Sequence, residues 1–295
     1  MKPRTLLSIA LTLFLSLASA RADALRVAAV QMRSEPSLRA NVAKITKHLA
    51  ELAARGVQVA AFPECAVSSY DQSAVHALSA ADLGAAENEI AAACRVSAIA
   101  AVVGIPRHRD GKVFNEAIVI DARGNLVARY DKIYLTGAEA KWPFAPGTSL
   151  PPVFPIGSTL ATVMICHDSR FPEVCALPVH AGARVMFYIS HEAALIKETK
   201  IGPYRAQVQA RAVENRIYIV HANAPANDLR TGSHGQSRIV NPEGIVLQEA
   251  SQLQEEVLVA DLDLTAATGA NAPETMAGPF AEWWREGVKR VPVVK

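Results

Sequence analysis

LATVMICHDSRFPE, residues 160–173, is an apolar, β-branched run that stops at Cys166 and meets a proline and an acid six residues later, at Pro172-Glu173. Residues 160–165 predict a buried strand, and Pro172 in a first helical turn predicts a helix over 172–181. A strand turning sharply into a helix is half of an α/β unit, and the pattern repeats on both sides. Downstream, 185–189 reads as a strand, 204–214 as a helix and 217–221 as a strand. Upstream, the strands are 25–32, 57–62 and 99–105, separated by helical spacing at Ile45, Leu49 and Leu52 and by a helix over 87–97. Residues 117–121 and 126–130 flank the turn Arg123-Gly124-Asn125, and 237–240 and 245–248 flank Pro242-Glu243-Gly244, so both pairs read as hairpins. A last strand covers 257–262. The segment 142–155, with five prolines and Gly147, predicts an irregular loop. Helix-linked strands mixed with hairpins predict α/β layers with a mixed sheet.

The chain has 295 residues, of which 51% are hydrophobic and 20% charged, so it can bury a large core. Lys2 and Arg4 precede an apolar run over 6–18 and then Ala18-Ser19-Ala20. That order fits a secretory signal peptide, since a spanning helix needs about 20 apolar residues. Residues 1–24 are therefore expected to be a leader cut near position 20 or 24, giving an exported, periplasmic or secreted protein with no stable membrane span after processing. The first 20 residues hold two bases and no acid, so their removal takes the formal charge from +2 to zero. A neutral mature chain lacks the basic footprint of nucleic-acid binding. Residues 25–264 read as one domain. Residues 265–295 read as an arm, with a helix over 280–289 carrying Trp283 and Trp284, resting on the body or on a partner subunit.

Four cysteines, Cys65, Cys94, Cys166 and Cys175, are too few for a disulfide scaffold, although an oxidising compartment leaves a pair such as Cys65 and Cys94 free to bridge. No two glycines lie two apart, so a dinucleotide fingerprint is absent, and neither Gly-x4-Gly-Lys nor G-x-S-x-G occurs. His191-Glu192 opens like a zinc-protease motif, but Leu195 stands where the second ligand belongs, and no metal site is expected.

Three segments place reactive groups at the ends of apolar strands: Phe62-Pro63-Glu64, Tyr130-Asp131-Lys132 and Ile165-Cys166-His167. Open α/β sheets put their reacting groups beyond the carboxyl ends of the strands, where these could converge. A helix N-terminus and a nearby Lys are expected to lower the pKa of Cys166 toward the thiolate. A buried Glu64 would have a raised pKa and suit a general base. Lys132 alone reads as a surface lysine; its case depends on the other two.

These segments resemble the signature of the nitrilase superfamily, the carbon-nitrogen hydrolases, in which Glu, Lys and Cys occur in this chain order. Residues 25–31, Asn115-Glu116-Ala117, Arg211-Ala212-Val213-Glu214-Asn215-Arg216, 235–239 and Asn241-Pro242-Glu243-Gly244 resemble further stretches of that family. The resemblance implies a four-layer α-β-β-α sandwich, commonly a homodimer or higher homo-oligomer. It makes Glu64 the general base, Lys132 the oxyanion-stabilising cation and Cys166 the nucleophile, with Glu139 the candidate second glutamate, and it requires no cofactor. His167-Asp168 stands where true nitrilases carry Trp-Glu, which favours small amides or carbamoyl groups over nitriles. Tyr70, His167 and His191 are candidate pocket walls. Arg170 could anchor a substrate carboxylate, although a buried structural ion pair is the stronger expectation. A nitrile hydrolase, an N-acyltransferase of the same family and a non-catalytic periplasmic binding protein are the alternatives.

Overall fold

The computed structural model describes residues 24–142, 144–192, 198–228 and 232–295. The expected leader lies outside the described residues, apart from Ala24. Among the described residues, twelve strands form two six-stranded sheets. The first holds β1 (Ala24–Gln31), β2 (Val59–Ala61), β3 (Ala100–Arg109), β4 (Lys112–Ile120), β5 (Leu126–Asp131) and β12 (Glu256–Asp263), in the order β12-β1-β2-β3-β4-β5. The second holds β6 (Val153–Ile156), β7 (Thr159–Ile165), β8 (Val185–Ser190), β9 (Tyr218–Asn223), β10 (Arg238–Val240) and β11 (Val246–Glu249), in the order β11-β10-β9-β8-β7-β6. Strands β1, β2 and β3 run parallel, as do β7, β8 and β9, and hairpin-type pairs extend each sheet outward.

Both faces of each sheet are buried, which explains why the strands read as unbroken apolar runs rather than alternating ones. Val27 and Ala29 of β1 point into the core between the sheets, with Val163 and Ile165 of β7 and Phe187 of β8. Ala28 and Val30 face the other way, onto α1 (Leu38–Ala54) and α3 (Ala80–Ser97). Across the molecule, α4 (Pro172–His180) and α5 (Glu198–Asn215) cover the second sheet through Cys175, Val179, Val208 and Ala212. The layers are thus helix, sheet, sheet, helix.

Helix α1 starts at Ser37, whose side chain accepts from the Ala40 N–H, and buries Val42, Ile45, Leu49 and Leu52 at helical spacing. Helix α3 begins seven residues before the expected Glu87, because Ser79 and Asp82 form a reciprocal capping box that starts it at Ala80. A short α2 (Gln72–Ala77), capped by Asp71, precedes it. Strand β4 is longer than expected: Asp110 and Gly111, at φ 51° and 70°, form a two-residue turn that folds it back on β3. The proline-rich loop also yields a strand. Its last residues form β6 at the sheet edge, where Pro155 costs no inner ladder bond.

The C-terminal segment packs on the body. It contains α6 (Ala272–Ala277) and α7 (Ala281–Lys289). Trp284 stacks on His180 of α4 with ring centroids 4.5 Å apart, and Val153 of β6 bonds to Pro292 and Val294. Phe280 and Trp283 stay exposed. All four cysteines are buried and free.

Candidate active site

The carboxyl ends of the parallel strands in both sheets open onto one buried polar cluster. Glu64 lies just beyond β2 in a turn pressed against β3 at Gly104, where an added Cβ would sit 2.4 Å from the Pro63 carbonyl and 2.7 Å from the Glu64 Cα. Only a residue without a side chain lets this turn come so close. Lys132 follows β5, and its N–H donates to the carbonyl of Asn115 on β4. Glu139 starts a single 3₁₀ turn, Glu139–Lys141. Cys166 follows β7 with a left-handed φ of 42° and opens the 3₁₀ turn Cys166–Arg170.

Glu64, Lys132 and Glu139 are brought into direct contact. The Lys132 Nζ donates to Glu64 Oε1 at 2.7 Å and to both Glu139 oxygens at 2.8 and 2.9 Å. The three side chains are 0–1% exposed. Asn115 clamps the pair of acids by donating from Nδ2 to Glu64 Oε1 at 2.7 Å and to Glu139 Oε1 at 3.0 Å. The backbone N–H of His191, just past β8, holds Glu64 Oε2 at 2.7 Å, and that of Thr136 holds Glu139 Oε2 at 2.8 Å.

One cation between two carboxylates leaves the trio one negative charge when both acids are ionised. Burial alone would discharge Lys132, but Glu64, Cys166 and Glu139 outweigh it and keep the ammonium charged well past the usual lysine range. Burial raises Glu64 above the usual carboxylate range against the pull of Lys132, whereas in Glu139 the Lys132 charge and hydrogen bonds overcome burial and hold it low. The two glutamates are therefore unlike: Glu139 is the fixed counter-ion and Glu64 the acid whose proton moves. Cys166 corrects an expectation. Burial pushes its thiol up, and the Glu64 charge adds to this against Lys132. A 3₁₀ turn separates Cys166 from α4, which starts at Pro172, so no helix N-terminus faces the sulfur. A buried thiol of this kind reacts when a base takes its proton, not as a standing thiolate.

The three pocket candidates also lie at this cluster. Tyr70 stacks on His191 with centroids 4.7 Å apart and tilts against Trp142 at 4.9 Å. Burial lowers the His191 pKa to about 4, aided by Lys132, so that ring is neutral. His167, half-buried, meets Phe171 edge-on and feels the charges of Lys132 and Glu139. Arg170 is not in a buried ion pair. It is exposed, with its guanidinium 4.7 Å over the Tyr204 ring.

Two residues of the site escaped sequence reasoning in role. Asn115 stands out as a polar residue in the apolar strand KVFNEAIVI, but only the fold shows what it clamps. Asp168 accepts from the Tyr130 hydroxyl at 2.7 Å and the Tyr134 N–H at 2.8 Å, tying the nucleophile's turn to the opposite sheet. Burial raises its pKa to about 7. Among the described residues, no group of three or more His, Cys, Asp or Glu side chains is placed to hold a metal ion, and no helix is long and apolar enough to cross a membrane.

The carbon-nitrogen hydrolase family matches residues 26–271. The chain belongs to that family. The solved structures it resembles place that family in the nitrilase superfamily. An amidase of that superfamily from Nesterenkonia, in a cysteine-to-alanine mutant, superposes with a TM-score of 0.78 at 27% identity, over 89% of this chain and 98% of that one. An omega-amidase from Xenopus tropicalis is 28% identical over 249 residues, 81% of this chain and 88% of that protein. A hydrolase in the agr operon of Staphylococcus lugdunensis is 32% identical over 160 residues, 53% of this chain and 66% of that protein. The alignments with this hydrolase and its Staphylococcus aureus counterpart span just under two thirds and 59% of those proteins.

Proposed function

We propose that this carbon-nitrogen hydrolase is an amidase acting on small amides or carbamoyl groups through a thioester on Cys166. The observation that carries the reading is the Lys132 ammonium, buried between Glu64 and Glu139 beside a buried thiol. Glu64 takes the Sγ proton, and Sγ attacks the amide carbonyl. Lys132 and the backbone N–H of His167 stabilise the tetrahedral oxyanion. Glu64 returns the proton to the nitrogen, the C–N bond breaks and ammonia leaves. Glu64 then takes a proton from water, whose oxygen attacks the thioester; the C–S bond breaks, the acid is released and Glu64 returns the proton to Sγ. Glu139 and Asn115 hold the cation and the base in place throughout.

The substrate reading draws on the walls and on the neighbours. Tyr70, Trp142 and a neutral His191 offer flat, uncharged faces to a small planar group. Structures of the Nesterenkonia amidase include a mutant in complex with butyramide and another with the acetamide moiety of fluoroacetamide added to the active-site cysteine. An ammonia-release assay across paired amides, ureido acids and nitriles tests the proposal. Preference for the amide or carbamoyl member supports it, and clear preference for the nitrile overturns it.

Two further readings complete the proposal. Export is carried by the leader-like segment 1–24; N-terminal sequencing of periplasmic material should begin near Arg21 or Leu25. A homodimer or higher homo-oligomer is supported by the exposed Phe280 and Trp283 of the C-terminal arm, and light scattering of the purified chain checks it.

A further inference from the structure

Behind the nucleophile lies a second buried polar network that the reaction above does not use. Tyr188 on β8 is 1% exposed, Glu192 3% and His234 0%. The Tyr188 hydroxyl donates to Glu192 Oε1 at 2.5 Å, and His234 Nε2 holds the other oxygen of Glu192. The same hydroxyl lies 3.2 Å from the Cys166 carbonyl oxygen and 3.3 Å from Ser169 Oγ. Helix α5 grips this turn from the other side: Gln207 Nε2 donates to Ser169 Oγ at 2.5 Å, and Arg211 Nε to the Ser169 carbonyl at 3.1 Å.

Two features require explanation together. Cys166 holds a left-handed φ of 42°, which a residue with a side chain keeps only when its surroundings impose it. Among the described residues Glu192, a buried acid, meets no lysine or arginine in its hydrogen bonds and bonds to Tyr188, His234 and, through its backbone, Asn223. An apolar side chain would fill such a place at less cost in desolvation. Among the described residues the Nδ1 of His234 is buried without a partner, while its Nε2 lies against Glu192. Glu192 thus fixes where the Tyr188 oxygen sits, and that oxygen lies against the strained peptide of Cys166.

We propose that Tyr188 and Glu192 are positioning residues: Glu192, anchored by His234, accepts the Tyr188 hydrogen bond and fixes the Tyr188 oxygen as the acceptor for the Ser169 hydroxyl, and so braces the left-handed turn that aims Cys166 Sγ at the substrate. The inference rests on Cys166 being the nucleophile. It adds a role for residues outside the Glu64–Lys132–Glu139 cluster, and it gives Gln a defined place at position 192. Gln keeps an acceptor for the Tyr188 hydroxyl but removes the charge, whereas Leu removes both.

The test compares Tyr188→Phe, Glu192→Gln and Glu192→Leu in the full chain, reading kcat and KM on butyramide, the rate of Cys166 alkylation by iodoacetamide against pH, and the melting temperature. Tyr188→Phe and Glu192→Leu should lower kcat tenfold or more with KM within threefold and slow alkylation severalfold. Glu192→Gln should keep most of kcat, while its alkylation profile moves to lower pH, since Glu192 is one of the charges felt by the thiol beside Glu64, Lys132 and Glu139. If Tyr188→Phe does not fold, the Gln-to-Leu contrast decides: an active Gln and a crippled Leu variant support the role, and equal activity overturns it. Folded Tyr188→Phe and Glu192→Leu proteins with kcat within threefold of the parent also overturn it. Alkylation needs no substrate, so a parent that hydrolyses no amide but whose alkylation rate falls in Tyr188→Phe breaks the amidase proposal and leaves this one standing.

Discussion

Two buried polar clusters meet at the Cys166 turn, and they keep their ionisable groups in opposite ways. Around Glu64 a permanent cation is shared by two acids, so removing either partner leaves a charge in a place without water. Around Glu192 the acid is held by the Tyr188 hydroxyl and the His234 ring, with no lysine or arginine among the described residues in its hydrogen bonds, and the nearby His221 is neutral with a pKa pushed down to about 3, chiefly by burial. The first cluster is built so that one proton can move off Glu64 without the cation leaving. The second is built so that nothing moves. Reaction needs both: a mobile proton beside the thiol, and a fixed frame that keeps the thiol in reach of it.

The strongest way to break this contrast is to take the cation out of the first cluster. Lys132→Ala should reduce turnover by on the order of 10²–10³-fold or more, the scale of losing one oxyanion donor. It should also destabilise the fold by roughly 3–5 kcal/mol, because Glu64 and Glu139 are left facing each other. The sign of the pH effect is fixed by the same acids. Without Lys132 their folded pKa values rise, protonation relieves the repulsion, and the stability deficit should shrink as pH falls from 8 to 5. Urea unfolding at both pH values checks this; a deficit that grows toward pH 5 would contradict the shared-cation picture.

A smaller effect should come from backbone approach alone. Gly104→Ala puts a Cβ within 2.4–2.7 Å of Pro63, Glu64 and Cys65, so the base must shift or the sheet must open. The expected cost is about 1–3 kcal/mol of stability, as for other overpacked sites, with a fall in kcat larger than any change in KM. Gly84→Ala in α3 is the control, since an added Cβ there meets nothing within 4 Å, and it should stabilise by about 0.5–1 kcal/mol with kcat unchanged. Equal kinetics in the two variants would remove the role given to the close approach at Gly104.

The strands and the three residues at their ends were legible because apolar runs and abrupt strand ends are local features, whereas the four layers and the roles of those residues came from the resemblance to the carbon-nitrogen hydrolases. Residues 160–165 read as a strand and form one, and Glu64, Lys132 and Cys166 each follow a strand as their sequences imply. What was not legible depends on partners distant in sequence. The pKa of Cys166 is decided by burial between two sheets and by Glu64, not by the helix that follows it. Asn115 shows its purpose only when Glu64, 51 positions away, and Glu139, 24 positions away, reach its amide. The start of α3 was local and readable, since Ser79 and Asp82 are a capping signal that precedes the first clear apolar periodicity.

The second cluster should reveal itself in acid rather than in activity. His221 has a folded pKa of about 3 against an ordinary 6.5, so the unfolded chain binds a proton there that the folded chain refuses. Stability from this group is full above pH 6.5 and is lost as pH falls toward 3, by about 1.4 kcal/mol per pH unit and therefore about 2 kcal/mol between 6.5 and 5. His191, at about 4, acts with the same sign, while Asp168 and Glu116, both raised to about 7, act with the opposite one between about pH 4 and 7. The parent's own profile is thus partly cancelled, and the informative quantity is a difference. His221→Asn should be less stable than the parent at pH 7, with the gap closing by about 1–2 kcal/mol at pH 5. A gap that stays constant would mean that His221 is not held neutral.

The smallest effect separates the two clusters from the surface beside them. Arg170 is four residues beyond the nucleophile, and an arginine anchoring a substrate carboxylate there would lose most of its KM contribution for ureido acids when shortened. In the fold its side chain is exposed and lies over Tyr204, which makes it a surface cation on an aromatic face, worth about 0.5–1 kcal/mol at such a site. Arg170→Met keeps much of the aliphatic contact with Tyr204 and removes the charge. KM should therefore stay within twofold for butyramide and for a ureido acid alike, and stability should fall by less than about 1 kcal/mol. The decisive reading is the ratio between the two substrates. If KM rises tenfold for the ureido acid alone, Arg170 turns toward the site when substrate binds, and the pocket recognises an anion that its aromatic walls do not account for.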